Sequence, residues 1–352
     1  MRARSIALIA GILLCAGAAP AQQVRVPAGQ PPAAGLAGTY ADSWAVIVGI
    51  NDYQHERIPK LRYAVNDARS VERALLGQGF RRDRIVTLID REATKARIET
   101  VLGDDLRQKV GPNDRVLVFF AGHGKTDRLP SGEEEGYLMP ADGDPGRLFG
   151  SAISMSSLRQ ISDRLKAKHI LYVVDACYSG YALYNRSISE DLLTEMVRKR
   201  AVQILTAGRQ EDQAQERAGH GVFTDVVLRG LGGEAFAGKG WLSLEELGVW
   251  VKQRVFAESN KQQLPQFGNL SGEGQFVFLR PLGSLAVTTR LPAVEIWLGD
   301  RKLGETAAGR AVLADVPAGT YRLRAVKPGF KEWQKEIQIT PSQRAELEID
   351  IE

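Results

Sequence analysis

Cysteine is almost missing from this chain: its 352 residues include two, Cys15 and Cys177. Cys15 falls within MRARSIALIAGILLCAGAAPAQQ, where arginines precede a short apolar run and then Ala19-Pro20-Ala21. That order is the pattern of a secretory signal peptide, residues 1–21, cleaved after Ala21, and the apolar run is too short and too poorly flanked to span a membrane. Leu14 stands before Cys15, where a lipid-anchored leader would have a small residue. The chain is therefore expected to be exported, periplasmic or secreted, with no transmembrane span in its mature form. Cleavage leaves Cys177 as the sole thiol, which excludes an internal disulfide. Such a thiol is either a reactive group or a small buried hydrophobe. A bias toward one sign of charge is lacking too. The net charge of +4 falls to +2 when Arg2 and Arg4 leave with the leader, and interspersed charges of this kind leave no footprint for nucleic acid. There is no internal repeat and no long low-complexity stretch, and histidine occurs only four times.

What the chain does have is an alternation of apolar strands and amphipathic helices. SWAVIVGI is a continuous apolar run, the mark of a strand buried on both faces. NDARSVERALLGQGF follows, with Ala68, Val71 and Leu75 at helical spacing and Gly79 as its C-terminal stop. IVTLID, RVLVFFAGHG, HILYVVDAC and AVQILTAG are four further strands. ARIETVLGDDLRQKV, SMSSLRQISDRLK, GVFTDVVLRGLGG and SLEELGVWVKQRVFAES read as helices. The pattern predicts an α/β domain over residues 43–280, a mostly parallel sheet covered by helices on both faces. Residues 22–42, rich in Ala, Gly, Pro and Gln, read as a flexible lead-in. Near Pro281-Leu282-Gly283 the pattern changes to short alternating strands: SLAVTTR, VEIWLGD, YRLRAVKPG, EWQKEIQIT and AELEIDIE. Residues 283–352 are thus expected to form a small all-β sandwich, whose Trp297 and Trp333 are either exposed binding aromatics or core residues.

In a parallel sheet the side chains that follow the carboxyl ends of the strands meet at one edge, where such folds place their sites. Two strands end there in reactive residues: His123 after RVLVFFAG, and Cys177, 54 positions downstream, after HILYVVDA. A thiolate is a nucleophile, and an imidazole beside it can take up a proton and return it to a leaving amine. Glycines around both residues let a substrate backbone approach and free amide N–H groups for an oxyanion; those of Gly124 and Cys177 are the nominees. The other histidines lack this placement. His169 starts a strand and so faces the opposite edge, and His55 and His220 read as loop residues.

AGHG and DACYSG, on consecutive core strands in this order, resemble the motifs of the caspase-like cysteine peptidases, in particular their metacaspase, paracaspase and bacterial branches. VIVGINDY, LRYAVNDA and ILTAGRQEDQAQE followed by GVFTDVVL extend the resemblance over residues 43–280, although Asp-Ala-Cys stands where the caspases proper have Gln-Ala-Cys. GSLAVTTRLPAVEIWLGD and VPAGTYRLRAVKPGF resemble a PEGA-type β module. The resemblance implies a cysteine endopeptidase with His123 and Cys177 as its dyad. Caspases proper cleave after Asp, using arginines. Metacaspases and paracaspases cleave after Arg or Lys, using an acid two residues before the nucleophile and another in the motif before the first helix. Here those positions hold Asp175 and Asp67. By strand alternation residues 175 and 177 share a face, so Asp175 is expected to line a pocket beside the thiol. The competing readings are an Asp67 that caps its helix and an Asp175 that bonds the turn presenting Cys177.

The expected partner is a peptide or protein with a basic residue before the scissile bond. With that specificity, Arg186 in the segment after the nucleophile is a self-processing candidate, whereas Arg198-Lys199-Arg200 reads more simply as the charged end of a helix. No cofactor is expected. Glu133, Glu134, Glu135, Asp142 and Asp144 are hard oxygen ligands of the kind calcium uses, but their spacing matches no recognised loop. Two other functions remain open at this level: a non-catalytic protein of the same fold that binds basic peptides, and a Cys–His enzyme that transfers acyl groups.

Overall fold

The computed structural model describes residues 23–25, 39–177, 190–208, 216–217, 219–236, 240–279, 282–299, 301–317, 319–340 and 343–351. The expected leader 1–21, most of the lead-in and Arg186 lie outside the described residues. Along the α/β domain run β1 (Ser43–Gly49), β2 (Ile85–Ile89), β3 (Arg115–Ala121), the hairpin strands β4 (Gly124–Arg128) and β5 (Glu134–Leu138), β6 (His169–Cys177), β7 (Ala201–Gly208) and β8 (Gln266–Gly272). The central sheet has the order β8-β7-β6-β3-β1-β2. All its pairings are parallel except β8 with β7.

The sheet is buried on both faces, which is why its strands read as unbroken apolar runs. All seven residues of β3 are buried. Val116, Val118 and Phe120 pack on one face with Ile98, Leu102, Leu106 and Leu158. Their neighbours Leu117, Phe119 and Ala121 pack on the other with α1 (Ala64–Gly77), α3 (Val222–Gly232) and α4 (Leu244–Glu258) through Val71, Leu75, Phe223, Val226 and Val251. The helix α2 (Met155–Arg164) lies on the first face through Met155 and Leu158. Truncating a side chain as enclosed as Phe119, which is 0% exposed, would cost about 3–5 kcal/mol. Gly49 ends β1, and a Cβ there would sit 2.6 Å from the Ala64 carbonyl oxygen and the Ala68 Cβ. Its absence lets the first turn of α1 lie directly on the strand end and carries Asp67 to the carboxyl edge of the sheet.

Several elements differ from the sequence reading. QFGNLSG has no apolar run, yet it forms the antiparallel edge strand β8. The stretch ARIETVLGDDLRQKV is helical in three parts, with a wide turn over Val101–Asp105 between Lys95–Thr100 and Leu106–Lys109. Parts of the expected flexible lead-in are ordered. Gln23–Arg25 is a short strand, and Tyr40 donates from its hydroxyl to His169 Nδ1 at 2.6 Å.

The C-terminal module contains β9 (Leu282–Thr289), β10 (Glu295–Leu298), β11 (Arg301–Glu305), β12 (Arg310–Pro317), β13 (Gly319–Val326), β14 (Trp333–Ile339) and β15 (Arg344–Ile349). One sheet joins Gln23–Arg25, β12, β9 and β15; the other joins β11, β10, β13 and β14. Leu285, Val287, Ile296, Leu313, Leu323 and Ile339 form its core. Trp333 packs against that core, and Trp297 lies under the Arg324 guanidinium, so both are half-buried rather than free aromatics.

Candidate active site

The carboxyl ends of β1, β3, β6 and β7 and the junction leading into α3 gather the residues of interest. Three supports hold His123 in place. Its backbone N–H donates to the Tyr53 hydroxyl at 2.7 Å, its ring lies 5.2 Å from the Tyr53 ring, and its Nε2 is 2.8 Å from the Pro59 carbonyl oxygen. A carbonyl only accepts, so Nε2 carries the proton, and in the neutral ring Nδ1 is the basic nitrogen. Burial pushes the Tyr53 phenol pKa up, so this support stays protonated. The loop that supplies Tyr53 and Pro59 is tied down by Asn51, which accepts from Val65 N–H through its side chain and from Leu61 N–H through its carbonyl.

Gly124 follows at the start of β4. Met139 N–H bonds the His123 carbonyl, which makes residues 123 and 139 the hydrogen-bonded pair. Gly124 stands opposite Leu138 in the register of β4 with β5. Cys177 is the last residue of β6, with Gly208 of β7 as its partner. Between Val174 and Cys177 the register shifts against β7. The expectation that residues 175 and 177 share a face concerns the Cys177 side chain, which lies outside what is described.

Asp175 and Asp67 nevertheless converge. The Thr224 hydroxyl donates to Asp175 Oδ2 at 2.5 Å. Asp67 is 3% exposed; its Oδ2 accepts from the Gly221 N–H at 3.1 Å, and its Oδ1 lies 2.6 Å from His220 Nδ1. The two carboxylates meet where Gly221 has no side chain. A Cβ at that position would lie 2.7 Å from Asp175 Oδ2 and 3.4 Å from Asp67 Oδ2. Gly221 has φ −63° and ψ 137°, a conformation open to any residue, so space and not backbone freedom demands glycine here. It is also the residue before α3, whose N-terminal end favours negative charge.

Asp67 is not a helix cap, because α1 starts at Ala64 with Tyr63 in the capping position. Asp175 bonds Thr224 in the first turn of α3, and the N–H of Gly122 donates to its backbone carbonyl; the turn after Cys177 lies outside the described residues. Three of the five acids considered for calcium are engaged separately. Glu135 accepts from the N–H and hydroxyl of Ser156, Asp142 from the Lys95 N–H, and Asp144 from the Gly146 N–H beside His55 and Arg57. Among the described residues no group of three or more His, Cys, Asp or Glu is arranged to hold a metal ion. The charges of the basic cluster are also engaged: Arg198 pairs with Glu195, Lys199 with Glu273 and Arg200 with Asp163.

Four supporting residues escaped the sequence reading: Tyr53, Pro59, Thr224 and His220. Tyr53 and Thr224 stand inside the motifs VIVGINDY and GVFTDVVL, which was the available signal. Pro59 contributes a backbone carbonyl, which leaves none. His220 read as a loop residue but lies in a two-residue strand, His220–Gly221, against Asp67.

The α/β sheet thus places His123 and Cys177 at the carboxyl ends of the adjacent strands β3 and β6, and Asp67 and Asp175 converge on Gly221. A sequence model of the caspase domain matches residues 42–276, and one of the PEGA domain matches residues 282–352. The chain belongs to the caspase-domain family of cysteine peptidases, whose substrates are proteins, and carries a C-terminal PEGA domain. It is 33% identical over 134 residues to a paracaspase of Dictyostelium discoideum, a match covering 38% of this chain and 30% of that relative's length. The crystal structure of protein GSU0716 from Geobacter sulfurreducens aligns with 65% of this chain and 93% of its own, at 17% identity and a TM-score of 0.47. Among the described residues no helix is long and apolar enough to cross a membrane.

Proposed function

We propose that this chain is an exported cysteine endopeptidase that cleaves peptide bonds after arginine or lysine, with Cys177 as nucleophile and His123 as acid–base. The observation that carries the specificity is the convergence of Asp67 and Asp175 on the vacant side-chain position of Gly221. Two carboxylates drawn together, Asp67 buried and Asp175 half-buried, repel each other, and a guanidinium or ammonium placed between them relieves that repulsion. Export rests on the leader pattern of residues 1–21.

The chemistry follows from the supports around His123. With Nε2–H committed to the Pro59 carbonyl, Nδ1 accepts the thiol proton as Cys177 attacks the scissile carbonyl carbon. The C=O π bond opens to an oxyanion, which the N–H groups of Gly124 and Cys177 receive. Collapse expels the amine, protonated by His123, and leaves a thioester. Water activated by the same imidazole then hydrolyses the thioester and restores the thiol. The Pro59 carbonyl steadies the imidazolium during each proton transfer.

The test is a panel of reporter peptides that differ only in Arg, Lys or Asp before the reporter, assayed on residues 22–352 with Cys177→Ala as control. Release after Arg and Lys that vanishes in the variant is expected. Release only after Asp would discard the carboxylate pocket while keeping the dyad.

A further inference from the structure

We infer that His220 is the positioning residue of the basic-residue pocket, holding the Asp67 carboxylate in the orientation that receives the substrate's cation. This rests on the proposed cleavage after basic residues and adds to it a residue outside the dyad and the acid pair.

The geometry is a reciprocal clamp between the first turn of α1 and the strand that leads into α3. Successive residues of one segment engage both oxygens of Asp67: His220 Nδ1 at Oδ1, 2.6 Å, and the Gly221 N–H at Oδ2, 3.1 Å. An ionised carboxylate only accepts, so His220 donates from Nδ1. The preceding residue of α1 grips the same segment. Asn66 Nδ2 donates to the Gly219 carbonyl at 2.8 Å and lies 3.4 Å from both ring nitrogens of His220. Asn66 and Asp67 thus hold Gly219, His220 and Gly221, and are held by them. Three residues beyond Gly221, Thr224 orients Asp175. One junction, residues 219–224, therefore engages both carboxylates.

The torsion about a carboxylate's terminal bond is intrinsically soft, so without donors Asp67 would present its charge in many directions. Two donors from one short segment remove that freedom before substrate arrives, and preorganisation of this kind raises affinity by lowering the ordering cost on binding. His220 acts through its side chain, so it can be removed while the backbone bond of Gly221 is kept. Its side chain is 22% exposed and that of Asp67 is 4% exposed, which shields the contact from bulk water without sealing it.

The test uses full-length mature protein carrying Cys177→Ala, so that binding is read without turnover. Calorimetry compares a short peptide containing one arginine with the same peptide containing citrulline, its uncharged isostere. The parent should prefer arginine by roughly tenfold or more, the value of a charge-assisted contact. His220→Ala should cut that preference about fivefold or more, and His220→Asn, whose amide nitrogen takes the place of Nδ1, should recover most of it. In the active enzyme His220→Ala should raise KM for an arginine reporter while kcat changes less than about twofold. A parent that shows no preference for arginine overturns the basic pocket and this assignment together. A parent that prefers arginine, with His220→Ala retaining the whole preference, overturns the assignment of His220 alone. Poor folding of the alanine variant leaves the asparagine variant to decide: His220→Asn weakening binding as much as the loss of Asp67 would contradict a role carried by the Nδ1 donor.

Discussion

The two ends of β6 carry a histidine and a cysteine and have opposite characters. At the amino end His169 is 0% exposed and fully partnered. The Tyr40 hydroxyl donates to its Nδ1 at 2.6 Å, its Nε2–H donates to the Lys199 carbonyl at 2.9 Å, and the Tyr40 oxygen in turn accepts from the Val277 N–H. Beside them Arg115, 3% exposed, is bound to Ser43 and to the carbonyls of Gln78 and Val277, and stacked between Tyr40 and Phe80. Burial lowers the Arg115 pKa to about 10 and that of His169 to about 3. At the carboxyl end the strand departs from its register, and His123 is half-buried with a single ring nitrogen engaged by a carbonyl. A histidine with both nitrogens committed can only stabilise the fold; one with a nitrogen held and the other basic can move a proton. The same sheet therefore seals the histidine at one edge and, at the other, holds one by a single ring nitrogen, as the proposed proton transfer requires.

This contrast can be broken by substitution, and the largest effects belong to the carboxyl edge. His123→Ala should lower kcat on an arginine reporter by about 10²–10⁴, and Cys177→Ala should abolish release. Steady-state kinetics normalised to folded protein would read both. An effect of similar size from substituting His169 would erase the distinction between the two edges. Gly221→Ala should be the next largest. The added Cβ lies 2.7 Å from Asp175 Oδ2, and kcat/KM after arginine should fall about 10- to 100-fold, as expected when a charge-assisted contact is blocked. The backbone suits alanine, but so short a contact forces Asp175 off the Thr224 hydroxyl, so the melting temperature should fall as well.

At the amino edge the readout is stability. Tyr40→Phe leaves the Val277 N–H without its acceptor and His169 Nδ1 without its donor, and should destabilise the domain by about 1–3 kcal/mol in denaturant titration while turnover per folded molecule is kept. A smaller effect is the pH dependence of stability. The folded pKa of His169, about 3, lies below its usual 6.5, chiefly because of desolvation. The unfolded chain therefore binds the extra proton first. Stability from this group is complete above pH 6.5 and is lost as pH falls through the window from 6.5 toward 3, by about 1.4 kcal/mol per unit. Urea midpoints between pH 6.5 and 5 in wild type and His169→Phe would show the slope in the former and its loss in the latter. The smallest expected effect is that of calcium removal. Glu135, Asp142 and Asp144 are engaged by separate backbone and side-chain donors, so a chelator should leave turnover on an arginine reporter unchanged, and a loss restored by calcium would contradict this.

Much of this was legible in the sequence because buried parallel strands write themselves as apolar runs. SWAVIVGI, RVLVFFA and HILYVVDAC are strands where their patterns place them, and the reactive residues follow from which end of each strand they occupy. Elements held by tertiary contact were hidden. Strand β8 is half polar and pairs only at the sheet's rim, and β4–β5 carry Lys125, Asp127, Glu134 and Glu135 in a solvated hairpin. The supports of the site were hidden for a different reason. The Pro59 carbonyl and the Gly221 N–H are backbone groups with no residue signature. His220 reaches Asp67 across 153 positions in sequence, a contact that no local pattern encodes. Tyr40, in a segment whose composition reads as flexible, is fixed by hydroxyl bonds to two distant residues.

The most direct measurement is affinity labelling of Cys177 read by intact mass and peptide mapping. Mature protein would be incubated with matched peptidyl halomethyl ketones ending in arginine or aspartate, alongside His123→Ala and Asp175→Asn. One adduct is expected, on Cys177, formed by the arginine reagent far faster than by the aspartate reagent, slowed by loss of His123 and stripped of its arginine preference by Asp175→Asn. Equal labelling by both reagents, or labelling of Cys177 indifferent to His123, would contradict it.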